Sequence, residues 1–366
     1  MISAPSNISK VNIPTFPKIL VVNDRPLRTG AGRYASQINT ALQGKAHFIS
    51  YIWNPYEFEM KFPGELHSSI GIKSTPRYSW FKKDLIRFVP SLFQREYISL
   101  IAKYKNNGYH IHYTSHLTQS VNPDGLDIVS ILDLIAIKEF FKQPKTFLLL
   151  KKYLQFNHII TISNYVSKLI KLYNKDSCPQ TIYPYVSESF FNIEKKLARK
   201  KLDIQTNKKI VLSISSSQQR KNLSMIKETM DILGDEFLLI RVGTPVSNSL
   251  TYQNVDDSTL NLIYNSSDAL FFPTKEEGFG YPLIEAMKVG LPIVSSDIEV
   301  VREVTDGNAY LGDQNDPLAL SKMIREAVSS SDDVVKNGMH RANFFNLERF
   351  RTELLEYYSK TENLEV

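Results

Sequence analysis

The chain has 366 residues, 42% of them hydrophobic and 22% charged, with a formal net charge of +6 and a single cysteine. A chain of this length predicts two domains of roughly 150 to 200 residues, and Cys178 alone excludes an internal disulfide or a cysteine-rich metal site and suits a reducing cytoplasm. No apolar run approaches the roughly 18 residues of a membrane span, and the N-terminus lacks the basic region and apolar run of a signal peptide, so a soluble chain is expected.

The charge is uneven. Residues 1–187 carry 23 Lys and Arg against 11 Asp and Glu, while residues 188–366 carry 21 against 27. The basic half fits a lipid-phosphate acceptor, the surface of an anionic membrane, or no more than a basic soluble surface. Zinc-finger spacing and a basic tail interleaved with aromatics are both missing, so nucleic acid is not expected as a partner.

Residues 1–16 read as an irregular tail. Residues 18–23 (KILVVN) predict a strand, followed by the loop DRPLRTGAGRYAS and a helix through Leu42. Gly30 and Gly32 let the backbone approach a ligand, with Arg28 and Arg33 nearby; the dinucleotide fingerprint is absent because position 35 is alanine. Residues 47–53 suggest a second strand, and residues 55–76 show no strong period. Residues 80–104 predict one or two amphipathic helices split at Pro90. Lys82, Lys83, Arg87 and Arg95 there suit either an anionic membrane or a surface packed on a sheet.

A short strand at 109–113 delivers His112, Thr114, Ser115 and His116 to its end, with His116 placed ahead of His112 as a pocket residue. These histidines have no acid cluster near them and make a poor zinc set. Residues 127–132 give another strand, and Asp133 after it either caps a helix or orients a substrate. A helix at 147–156, a strand at 158–162, the turn Ser163–Asn164, a helix at 165–173 and a strand at 181–186 complete this half.

A lysine-rich passage at 194–209 leads into a strand at 210–214 that opens a new domain. Arg220 and Lys221 stand between that strand and a helix at 225–233, where two fixed cations can neutralise a diphosphate. A strand at 237–242 ends in Gly243 and Thr244, which can border a nucleotide base. A short helical segment covers 258–264.

The apolar strand 269–272 then runs into PTKEEGFGYPLIEAMKVGLP at 273–292. Here Gly278 and Gly280 form a turn before a helix that Pro282 opens and Gly290 closes. The order strand, glycine turn, helix aims backbone N–H groups and the positive helix end at a phosphate. Glu277 precedes the turn and Glu285 lies one turn inside the helix, so a phosphate cradle bordered by two hydroxyl-binding carboxylates suits a nucleotide that carries a sugar. A strand at 291–296 (LPIVSS) follows, then Asp297, Glu299 and Glu303, a helix capped by Asp316 with Pro317 at its first position, and a last helix at 344–358.

The stretch 273–292 resembles the signature of the family 4 retaining glycosyltransferases of the two-domain GT-B fold. That signature has a glutamate, Gly-Phe-Gly, a proline and a Glu-Ala-Met helix start, with its two glutamates eight apart. Glu277, Gly278, Phe279, Gly280, Pro282, Glu285, Ala286, Met287, Gly290 and Pro292 match it. Arg220, Lys221 and Asn222 match the family's Arg-Lys-Asn run, Gly30 and Gly32 stand at its N-terminal glycine loop, and His116 lies in a loop that often carries histidine. Two positions depart. The family's His-Asp pair reads Leu132 and Asp133 here, and Ser215 replaces a glycine. The resemblance is dense from 210 to about 328 and sparse before it.

The resemblance implies an α/β protein of two Rossmann-like domains facing across a cleft. They would cover 1–187, binding the acceptor, and 188–343, binding a nucleotide sugar, with 344–366 crossing back as a helix onto the first. It implies a retaining transfer of a hexose from a GDP- or UDP-linked donor to a hydroxyl of a glycan or lipid-linked glycan. This would take place in the cytoplasm, with peripheral contact at an anionic membrane. Glu277, Arg220, Lys221 and His116 are the implied catalytic residues; Gly30, Gly32, Gly243, Phe279, Gly280 and Glu285 are the implied donor-binding ones. No cofactor or metal is implied, since cationic side chains and a helix dipole supply the electrostatics. A phosphorylase or epimerase on the same fold, and a noncatalytic nucleotide-sugar or lipid-binding module, remain as alternatives, the latter because of Leu132.

Overall fold

The computed structural model describes residues 17–23, 29–42, 45–53, 58–61, 90–114, 127–135, 154–329 and 333–362. Elements are numbered over these residues. The first half runs β1 (Ile19–Asn23), α1 (Gly30–Leu42), β2 (Ala46–Trp53), β3 (Phe58–Lys61), α2 (Pro90–Asn106), β4 (His110–Tyr113), β5 (Ile128–Ile131), β6 (His158–Thr161), α3 (Asn164–Tyr173) and β7 (Gln180–Thr181). Its sheet has the order β3-β2-β1-β4-β5-β6-β7. Every pair in it is parallel except β2 with β3, an antiparallel pairing in a region whose sequence shows no period. All five residues of β1 are buried, as a central parallel strand covered on both faces requires.

The second half runs α4 (Lys195–Lys201), β8 (Lys209–Ser215), α5 (Leu223–Leu233), β9 (Phe237–Gly243), β10 (Ser249–Tyr252), α6 (Asp257–Ser266), β11 (Ala269–Phe272), α7 (Tyr281–Val289), β12 (Ile293–Ser296), α8 (Glu299–Thr305), β13 (Tyr310–Gly312), α9 (Pro317–Ser329), α10 (Asp333–Ala342) and α11 (Leu347–Glu362). Its sheet is wholly parallel in the order β10-β9-β8-β11-β12-β13. In both sheets the first strand has its successor on one side and a later strand on the other, so the strand order reverses beside β1 and beside β8. Such a reversal opens a crevice beyond the carboxyl ends of the strands, where ligands of open α/β sheets bind.

The last helix returns to the first half. Phe350, Leu354 and Tyr358, four residues apart, form one buried stripe of α11. Arg351 Nε donates to the Ala41 carbonyl at 3.0 Å, and the Phe350 ring meets Tyr34 edge-on at 6.1 Å. Tyr358 Oη lies 2.6 Å from His112 Nδ1, whose Nε2 lies 2.7 Å from Ser130 Oγ. His112 is therefore a core residue of β4 and not a pocket residue at its end. Burial pushes its pKa down to about 3, so the ring is neutral.

Other departures from the sequence reading are local. The expected strand at 181–186 is reduced to Gln180–Thr181, because the following backbone bonds across to other elements. Gln37 Nε2 donates to the Tyr185 carbonyl at 2.5 Å, and Val186 N donates to the Phe345 carbonyl at 3.0 Å. The expected helix at 147–156 falls mostly outside the described residues, as do residues 80–89 of the amphipathic segment, whose remainder is α2 starting at Pro90. Among the described residues no helix is long and apolar enough to cross a membrane.

Candidate active site

The strands that flank the reversal in the second sheet, β8 and β11, each end in a turn that leads to a helix. After β8 comes the turn Gln219–Lys221, and after β11 comes the glycine turn that leads to α7. The two turns are tied together: Lys275 N donates to the Arg220 carbonyl at 2.7 Å, and Thr274 Oγ1 lies 3.2 Å from the same oxygen. This tie brings three of the sequence-predicted residues into one cluster.

At its centre is Glu277, 7% exposed. Arg220 Nη1 donates to its Oε2 at 3.1 Å and to the Glu276 carbonyl at 3.0 Å; Lys221 Nζ bonds its Oε1, which Thr274 Oγ1 also reaches at 3.1 Å. Burial alone would raise the pKa of this carboxyl, but Lys221 and Arg220 outweigh burial and hold it below the usual carboxylate value. The cluster is thus an ionised carboxylate with two cations, carrying a surplus positive charge beside a helix N-terminus.

The glycine turn is shaped by contact with the first half. A Cβ on Gly278 would lie 2.0 Å from the Leu132 carbonyl oxygen and 3.1 Å from Asp133 Cβ, so only glycine lets the turn come this close to the end of β5. Ser163 Oγ donates to the Gly278 carbonyl at 2.7 Å from the same side. Leu132 is buried in the core shared by the two halves, and Asp133 Oδ1 accepts from Ile135 N at 3.0 Å, a local cap. Gly280, with φ +99°, is the N-cap of α7 and makes no side-chain cap hydrogen bond. The Phe279 ring is 2% exposed and packs against Tyr281 at 5.7 Å and Phe345 at 5.6 Å. The Phe279 side chain is therefore part of the shared core, and its backbone lies in the glycine turn.

A second cluster lies one turn into α7. Glu285, 2% exposed, accepts from Tyr264 Oη at 2.6 Å and from Arg33 Nη1 at 2.5 Å. Arg33 stands in the first turn of α1, which Thr29 caps by accepting from Gly32 N at 3.1 Å. Gly30 sits against Tyr281, at 3.9 Å from a Cβ built on it, so the N-termini of α1 and α7 meet across the cleft. Gly30, Gly32 and Glu285 are thereby brought together.

Gly243 lies at the end of β9. Its φ of +111° and the 2.3 Å from its would-be Cβ to the Ser215 carbonyl oxygen both demand glycine. The brace for this corner is Arg241, which the sequence reading missed. It is fully buried and donates to Ser213 Oγ at 2.8 Å, the Ser215 carbonyl at 2.9 Å and the Thr244 carbonyl at 3.1 Å. Burial pushes its pKa down to about 10, still charged at neutral pH. An arginine inside the apolar run FLLIRVG was the available signal.

Glu303 does not join either cluster. It accepts from Asn164 N at 2.6 Å, Tyr165 N at 2.9 Å and Tyr183 Oη at 2.6 Å, clamping the N-terminus of α3 to the second half. His116 lies outside the described residues, as do Arg28, Lys82, Lys83 and Arg87.

Residues 194–341 match the family model described as glycosyl transferases group 1. Among curated relatives, O-antigen chain mannosyltransferase RfbU of Salmonella typhimurium is 27% identical over 212 residues, covering 52% of this chain and 57% of that protein. The chain thus spans little more than half the length of that relative. N-acetyl-alpha-D-glucosaminyl L-malate synthase of Bacillus anthracis is 20% identical over 378 residues, covering 94% of this chain and 93% of its own. Sucrose-phosphate synthase from Thermosynechococcus elongatus superposes with a TM-score of 0.73 at 18% identity, over 94% of this chain and 98% of that one. Residues 194–341 thus resemble the group 1 glycosyl transferases, and they lie within a chain that has the two-domain GT-B fold.

Proposed function

We propose that the protein is a retaining glycosyltransferase that moves a hexose from a nucleoside diphosphate sugar to a hydroxyl of a glycan or lipid-linked glycan. One observation carries the reading: the ionised Glu277 held between Arg220 and Lys221 where the glycine turn enters α7. Arg220, Lys221 and the start of α7 bind the diphosphate and neutralise charge that develops on it as the bond to the sugar breaks. Glu285 takes the ribose hydroxyls. Glu277 bonds hydroxyls of the transferred sugar and stabilises positive character at its reacting carbon. The departing phosphate oxygen accepts the proton of the acceptor hydroxyl on the same face, which removes the need for a separate base.

Likeness to RfbU favours mannose as the hexose and a growing glycan as the acceptor. Basic residues concentrated in the first half favour an anionic or lipid-linked acceptor on that side. One departure favours a second reading, a noncatalytic nucleotide-sugar-binding module: Leu132 is buried where the resembled family has a histidine. A panel of nucleotide sugars, led by GDP-mannose and UDP-glucose, tests both with no metal added. Nucleoside diphosphate release and bound donor are followed separately. Release with one donor, reduced about 10²- to 10³-fold in Glu277→Gln, is the expected result. Donor bound but intact with every glycan and lipid-linked acceptor would favour the module, and no binding at all would contradict both.

A further inference from the structure

Both oxygens of Glu285 are engaged, and their partners differ in freedom. Tyr264 is fully buried and belongs to α6, in the same half of the molecule as Glu285. Arg33 reaches over from α1 and is 25% exposed. Its guanidinium stacks on the Tyr281 ring, 5.1 Å from the centroid, and lies 3.7 Å from Asp257. Tyr281 is the first residue of α7. The guanidinium therefore lies between the carboxylate assigned to the ribose and the helix end assigned to the diphosphate.

A ribose diol donates two hydroxyl protons and competes with Arg33 for Glu285 Oε1. Arg33 is the partner with room to leave. The charges point the same way. Lys221 and Arg220 are already paired with Glu277, and Arg33 is shared between Glu285 and, at 3.7 Å, Asp257. An entering nucleotide covers Glu285 with uncharged hydroxyls and adds about two negative charges, so the released guanidinium finds phosphate oxygens that suit its planar fork.

We propose that Arg33 is a donor-binding residue of the first domain that exchanges Glu285 for the diphosphate as the nucleotide enters. The exchange rests on the donor assignment made above. It makes one ligand bridge both domains, in place of the direct bond between Arg33 and Glu285.

Titrations of GDP, UDP, guanosine and uridine into the wild type, Arg33→Met and Arg33→Lys test the exchange. Arg33→Met is expected to weaken the preferred diphosphate tenfold or more, while the matching uncharged nucleoside binds as well as before or better, since Glu285 is then free for its ribose. Arg33→Lys keeps the charge without the fork and is expected to lose diphosphate affinity several-fold with nucleoside affinity unchanged; it serves alone if Arg33→Met does not fold. Equal weakening of nucleoside and diphosphate would make Arg33 a structural pair and overturn the proposal, as would an unaltered diphosphate affinity. A wild type that binds neither diphosphate would overturn the donor reading and this inference together.

Discussion

Glu277 combines burial with two cationic partners, and that combination sets what its loss would do. Glu277→Gln keeps the shape and removes the charge, leaving Lys221 and Arg220 free for a diphosphate. Donor affinity is expected to hold or rise while turnover falls about 10²- to 10³-fold, the range for removing one preorganised electrostatic group; steady-state kinetics with separately measured donor binding checks it. His112 gives a pH effect of known sign. Its folded pKa of about 3 lies below the unfolded value, so between those values the unfolded chain binds a proton that the folded chain does not. Stability is then expected to fall as pH drops below about 6.5, by up to about 2 kcal/mol at pH 5 from this group. Denaturant melts across pH 7 to 5 would show it, and His112→Gln should flatten the slope. Glu277, Arg220 and Lys221 were legible in the sequence because each sits in a short local motif. Arg33 with Glu285 was not legible as a pair, because the partners lie 252 positions apart.

The glycine turn is a contact surface as well as a cradle. Gly278→Ala would drive a methyl group into the Leu132 carbonyl, at 2.0 Å from ideal geometry, so the turn or the whole domain contact must shift. We expect a loss of about 1–3 kcal/mol or more and a matching drop in donor affinity, read by thermal melts and titration. Gly307→Ala is the control. Its φ is +77° with nothing within 4 Å, so it should cost only the backbone strain of about 1–2 kcal/mol and leave donor affinity unchanged. Among the elements, buried parallel strands such as ILVVN and ALFF read clearly as apolar runs, as did α7 between its proline and Gly290. The lysine-rich α4 and the polar α10 did not, since α4 has only Leu197 and Ala198 as apolar residues and α10 carries Gly338 at its centre. Gly338 is nevertheless buried, its would-be Cβ 3.4 Å from Met287 on α7, so close helix packing replaces propensity there.

Across the whole molecule, the two halves are held by α11, by Glu303 on the N-terminus of α3, and by the shared core in which Tyr34, Phe279, Phe345 and Phe350 lie. Tyr358→Phe would leave His112 Nδ1 buried without its hydroxyl partner, at an expected cost of about 1–3 kcal/mol in denaturant melts. The two-domain plan was legible from length and from the repeated alternation of strands and helices. The closure between the domains was not, because it rests on contacts such as Ser163 with Gly278 and Gln37 with Tyr281 that join residues more than a hundred positions apart. The most direct measurement is a crystal structure with the nucleoside diphosphate bound. The account predicts a diphosphate at the start of α7 bonded by Arg220 and Lys221, with the ribose hydroxyls on Glu285. A nucleotide seated elsewhere, or one whose ribose leaves Glu285 untouched, would contradict it.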